Sequence, residues 1–155
     1  MEKLIEWTNE LSVGLDEIDE QHKILVNLLN ELHKAITEKK GSAACGHILD
    51  ELIQYTIVHF AVEESLMRIF DYPYYEEHKG HHKELTDQVL ELQRKFRSGQ
   101  AVITFELMGF LRKWLTVHIM KEDKLYGPFF LERGVNMSWA KKKSWLGRIW
   151  ESVHG

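Results

Sequence analysis

One cysteine, two prolines and no long apolar run set the first limits on this 155-residue chain. With Cys45 alone, neither an internal disulfide framework nor a thiolate metal cluster can form, and the cysteine pair of a covalent haem attachment is missing too. No stretch approaches the roughly 20 apolar residues that a membrane-spanning helix needs. The opening residues MEKLIEW are mixed and acidic, unlike a secretory signal, so a reducing cytoplasm is the expected compartment. Strand-like alternation and repeats at solenoid periods are also lacking. The net charge is −4, but Lys141, Lys142, Lys143 and Arg148 against Glu151 give residues 134–155 a charge of +3 and leave −7 on the rest. An acidic body of this kind argues against nucleic acid as a partner.

Histidine is abundant: nine in a chain that is otherwise 44% hydrophobic and 28% charged, an ordinary balance for one soluble domain. Several of these histidines fall in helical rows. Residues 19–39 continue a row Ile18, His22, Leu25, Leu29, Leu32 and Ile36; residues 44–70 carry Ile48, Leu52, Tyr55, His59, Val62, Leu66 and Ile69. Residues 73–97 carry Tyr75, His78, His82, Leu85, Val89, Leu92 and Phe96; residues 101–130 carry Met108, Leu111, Leu115, His118, Glu122, Leu125 and Phe129. Alternating steps of three and four belong to helices packed nearly parallel to one another. Lys40-Gly41-Ser42, Asp71-Tyr72-Pro73 and Ser98-Gly99 separate the segments, and Gly127-Pro128 is expected to bend or end the fourth. Connections this short make sequential helices antiparallel neighbours. The expected fold is all-α: an antiparallel up-down-up-down four-helix bundle, with the first fifteen residues as an arm lying over it.

In such a bundle the starts of the first and third helices lie beside the ends of the second and fourth. His22, His59, His78, His82 and His118 therefore meet in the core at one end. Five buried imidazoles without partners would be costly, and a shared metal removes that cost. Glu63 shares a helix face with His59, as His82 does with His78. Asp123 flanks the fourth seam as Glu63 flanks the second, but it is five residues from His118. A local π-type widening would align the two, while Glu122, four residues on, competes for the place. Imidazole with carboxylate suits iron, zinc or copper. Two six-coordinate metals offer about twelve positions; five histidines, two bridging carboxylates and a bridging oxide or hydroxide fill all but one. A single open position fits one diatomic ligand.

These residues carry a resemblance to the hemerythrin family, specifically its bacterial single-domain members. His22 lies in IDEQHKILVNLLN, His59 and Glu63 in HFAVEE, His78 and His82 in HKGHH, and His118 and Asp123 in HIMKED. WTNELSVGLDEID and YGPFFLERG resemble the family as well. The resemblance implies a di-iron bundle over residues 1–136, in which His78, His82 and His118 bind one iron and His22 and His59 the other. Glu63 and Asp123 would bridge them, since the family's second carboxylate falls five residues after its histidine. Dioxygen would bind reversibly as a hydroperoxide at the open position on the two-histidine iron, the irons passing between Fe2+ and Fe3+. Phe60, Trp114, Leu115 and Ile119 would wall its pocket.

A histidine-rich site and an apolar pocket without an obvious proton donor favour binding over turnover, and the expected protein is a monomeric, non-enzymatic oxygen carrier, store or sensor. The competing reading is a di-iron oxidase, a peroxidase or a nitric-oxide-handling enzyme. The four periodic segments lack the Glu-x-x-His pairs of carboxylate-rich di-iron enzymes. His33, His47, His81 and His154 match no ligand motif and read as surface residues or supports behind the ligands. The methionines read as core filler, Cys45 as structural, and Gly80 as a point of close helix approach. Residues 137–155 form a basic, Trp-rich amphipathic tail, expected to be a short helical extension, with Trp145, Leu146, Ile149, Trp150 and Val153 on one stripe. It would pack back on the bundle, or dock an oxygen-consuming partner protein or an anionic membrane surface.

Overall fold

The computed structural model describes residues 4–99 and 105–132. Five α-helices, a π-helical turn and a short 3-10 turn at Asn9–Leu11 account for the regular structure of the described residues, with no strand among them. Helix α1 spans Asp16–Thr37, α2 Ser42–Ile69 and α3 Tyr75–Arg97. The fourth column of the bundle is built from α4 (Phe105–Val117), a π-helical turn (His118–Asp123) and α5 (Lys124–Glu132). Helix α1 packs on α2 and α4, and α2 packs on α3.

Three acids, Asp16, Glu17 and Asp19, open α1, where the helix dipole favours negative charge. Asp19 also ties down the arm, accepting a 2.8 Å hydrogen bond from the Val13 amide. Further along, Ile5 and Asn30 exchange two hydrogen bonds, of 2.9 and 2.8 Å. Ile5, Leu11, Val13 and Leu15 are buried by this packing, so the arm lies over the bundle as its sequence suggests. The first two helices end alike. Lys39 (φ 54°) and Asp71 (φ 53°) take left-handed conformations, and the amides of Lys40 and Tyr72 reach back to the carbonyls of Ala35 and Met67. This closure caps the last carbonyls without a glycine.

Several sequence expectations need correction. Helix α3 starts at Tyr75, two residues after Pro73. Gly127-Pro128 does not stop the fourth column, which runs through Pro128 to Glu132. Burial of Tyr126 and Phe130, both fully enclosed, offsets the lost backbone bond, which costs about 3 kcal/mol. Gly127 has another purpose. A Cβ there would stand 2.0 Å from the Val13 carbonyl oxygen, so the arm crosses α5 where there is no side chain. Gly80 is no point of close approach, because a Cβ there would meet nothing within 4 Å.

The stripes also shift. Ile69 is 70% and Leu125 68% exposed, although both belong to the expected seams. Ile69 is the last residue of α2, beyond the packed length. Leu125 follows the π turn, which inserts one extra residue and rotates everything after it. The seam therefore passes from Leu111, Leu115 and Ile119 to Asp123, Tyr126 and Phe130, all buried. Met67 and Met108 are core filler and Cys45 is buried. The tail, its amphipathic stripe and His154 lie outside the described residues.

Candidate metal centre

All seven residues singled out as ligands come together, each at most 4% exposed. His22 stands on α1, His59 and Glu63 on α2, His78 and His82 on α3, and His118 and Asp123 on the π turn. They form two groups: Glu63, His78, His82, His118 and Asp123, and His22, His59, Glu63 and Asp123. Within each group the potential ligand atoms lie within 4.8 Å of one another. The two groups share both carboxylates, one having three histidines and the other two.

Each of the five clustered histidines turns its Nε2 inward. The Nε2 atoms of His22, His78 and His118 lie 3.0 Å from Asp123 oxygens. Those of His59 and His82 lie 3.0 and 3.3 Å from Glu63 Oε1. Proximity is not hydrogen bonding, however. The Nε2 atoms of His22, His59, His82 and His118, together with Glu63 Oε1 and Asp123 Oδ2, are buried without a hydrogen-bond partner among the described residues. Such atoms carry a desolvation cost, and cations placed between them would remove it. The donor set of imidazole and carboxylate suits iron, zinc or copper. The residues fit a metal pair.

The π turn resolves the competition between Asp123 and Glu122. It brings Asp123 Oδ1 to His118 Nε2 across five residues. Glu122 stays outside, 3.7 Å from the other ring nitrogen of His118 and 3.5 Å from His81 Nδ1.

Three supporting residues escaped the sequence reading. Gln21 Oε1 lies 2.6 Å from His59 Nδ1, and Glu64 Oε2 lies 3.0 Å from His82 Nδ1. Each acceptor holds a proton on Nδ1 and so leaves the Nε2 lone pair free for a metal. Both sit beside a ligand in sequence, at Gln21-His22 and Glu63-Glu64, but each serves a histidine on another helix. The third is Tyr126, whose buried hydroxyl donates to Glu63 Oε2. It opens the YGPFFLERG stretch, but its inward register depends on the π turn.

The expected wall residues Phe60, Trp114, Leu115 and Ile119 are all buried. Phe60 stacks on His82 with ring centroids 3.8 Å apart and meets His118 edge-on at 5.3 Å. The Trp114 indole N–H donates to the Leu85 carbonyl at 3.2 Å. A groove of about 310 Å³ reaches Trp114 and His118 from outside. His47 is an exposed side chain paired with Glu51 at 3.1 Å.

Burial opposes charge throughout the centre, but the pairings prevail. Burial works against the Asp123 carboxylate, yet His118, His22 and His78 hold it well below the usual carboxylate range. Glu63 is likewise held low against burial, by His59 and His82. Burial pushes His59 down. His82 is raised to about 9 despite burial, because the Glu63 and Glu64 carboxylates lie on its two nitrogens, and His118 is raised by Asp123 despite burial. Burial, then Glu63 and Asp123, raise the Tyr126 hydroxyl well above its ordinary value, so it keeps its proton. Metal-free protein near pH 7.5 thus holds a proton on His82 that a metal must displace. Loading should release at least one proton per chain at that pH, with the release falling off as pH rises past about 9. A pH-stat titration measures it, and proton-neutral uptake at pH 7.5 would show that this charge state is wrong.

The family model described as "Hemerythrin HHE cation binding domain" matches residues 13–130. The chain is 36% identical to a bacteriohemerythrin of Stenotrophomonas maltophilia over 154 residues, 98% of this chain and 99% of that one. It is 37% identical to a bacteriohemerythrin of Methylococcus capsulatus over 126 residues, 81% of this chain and 95% of that one. A solved wild-type hemerythrin superposes with a TM-score of 0.77 at 36% identity, covering 81% of this chain and 96% of its own.

Proposed function

We propose the following function for this chain, which belongs to the hemerythrin family: it holds two iron ions and binds dioxygen reversibly, for storage, delivery or sensing. His78, His82 and His118 would hold one ion, His22 and His59 the other, with Glu63, Asp123 and an oxide or hydroxide shared between them. The observation that carries the proposal is the pair of donor groups with two common carboxylates and unequal histidine counts. Three histidines complete one six-coordinate ion and two leave the other a position short. An iron pair would supply the two electrons that dioxygen takes up on binding and returns on release.

The chain's own residues favour binding over turnover. Gln21 and Glu64 fix the ring orientation of His59 and His82. Phe60, Trp114, Leu115 and Ile119 form an apolar wall that excludes water. The Trp114 N–H is engaged by Leu85, and the Tyr126 hydroxyl is committed to Glu63. Neither is a free general acid. The chain's Glu-x-x-His spacing, Glu151 to His154, lies in the tail, outside the described residues. We place the protein in the cytoplasm as a monomer; among the described residues no helix is long and apolar enough to cross a membrane.

Anaerobic loading with ferrous iron, followed by cycles of air and vacuum under an absorption spectrometer, tests the proposal. About two irons per chain and a ligand-to-metal band that appears in air and vanishes under vacuum are expected. Irreversible oxidation on first exposure to air, or selective uptake of zinc, would sink it.

A further inference from the structure

A second groove, about 440 Å³, opens where the start of α3 meets α5. Tyr72, Tyr74, Leu125 and Phe129 give it apolar walls, and Glu77 and Glu122 line it, with no lysine or arginine among the described residues that do. Leu125 (68% exposed) and Tyr74 (59%) are large apolar side chains facing outward. The groove also reaches His78, which at 4% is the most exposed of the seven clustered residues. An acidic, aromatic groove calls for an occupant that is both apolar and basic.

We propose that the occupant is the chain's own C-terminal segment, residues 141–153. Its composition complements the groove: Trp145, Leu146, Ile149 and Trp150 match the apolar walls, and Lys141, Lys142, Lys143 and Arg148 match Glu77 and Glu122. Connectivity supplies the second argument. Leu125 and Phe129 belong to α5, whose last described residue, Glu132, lies within one turn of the groove. The twelve residues between Glu132 and Trp145 can span about 40 Å, more than the crossing needs. A tethered segment also meets its site at a high effective concentration, which favours it over a free partner of the same chemistry. Seated there, it covers the edge of His78.

Hydrogen–deuterium exchange of the metal-loaded, full-length protein tests this, together with carbodiimide cross-linking. Amides of 141–153 should exchange slowly, and Lys141–Lys143 should cross-link to Glu77 or Glu122 within one chain. Leu125→Lys and Tyr74→Lys, on opposite walls, should each abolish the slow exchange while far-UV circular dichroism stays unchanged. Equal exchange in the parent and both variants would overturn the proposal. So would cross-links found only between two chains, which would make the occupant a second copy. Protection that arises only with phosphatidylglycerol-containing vesicles would overturn it too, in favour of a membrane surface.

Discussion

Glu63→Ala should empty both metal positions, whereas His22→Ala should weaken chiefly one. Glu63 belongs to both donor groups, so its loss removes a ligand from each ion and the negative charge that offsets both cations. His22 belongs only to the two-histidine group. Gln21→Ala calibrates the comparison. It removes the acceptor behind His59 and leaves every ligand in place, and such outer contacts cost about 10–100-fold in affinity. Glu63→Ala should exceed that at both ions, and Gln21→Ala should reach it at one. Metal content by mass spectrometry after dialysis against a graded chelator separates the three variants. Retention of one tight ion in Glu63→Ala would mean the carboxylate is not shared.

Phe130→Ala should destabilise the protein by about 3–5 kcal/mol, and Leu125→Ala by clearly less. Phe130 is fully enclosed and packs against Tyr126 (centroids 5.0 Å apart), Phe129 and Phe70. Leu125 lies outside the bundle core, 68% exposed, with only the C-terminal segment proposed above to cover it. A regular α-helix from Phe105 onward would reverse this order, since the 3.6-residue period puts Leu125 and Phe129 inward. The comparison therefore tests the π turn through its effect downstream. Urea unfolding at a fixed metal load, followed by circular dichroism, is the measurement, and a larger loss at Leu125 would restore the regular helix.

The same turn marks where the sequence stopped being legible. Helices α1 to α3 could be read because their apolar rows keep one period and their breaks are short. Helix direction then gathered His22, His59, His78, His82 and His118 at one end without any knowledge of a family. The five-residue gap from His118 to Asp123 even suggested a widened turn. One added residue rotates the helix by about 100°, which moves Leu125 out and Tyr126 in. Tyr126 thus had no role assigned, although it opens the YGPFFLERG stretch and touches a bridging candidate. Gly127 was misread for a different reason. Next to proline it resembles a breaker, and its real constraint, the Val13 carbonyl, comes from 114 residues away in the chain. Gln21 and Glu64 depend on contacts between helices in the same way.

The central claim is one shared centre of two metals, held by seven named side chains. Anomalous diffraction from crystals of the iron-loaded protein tests it most directly. Two iron peaks per chain are expected, one among His78, His82 and His118 and the other beside His22 and His59, with Glu63 and Asp123 reaching both. A single peak, or a second one ligated by Glu122 in place of Asp123, would contradict it.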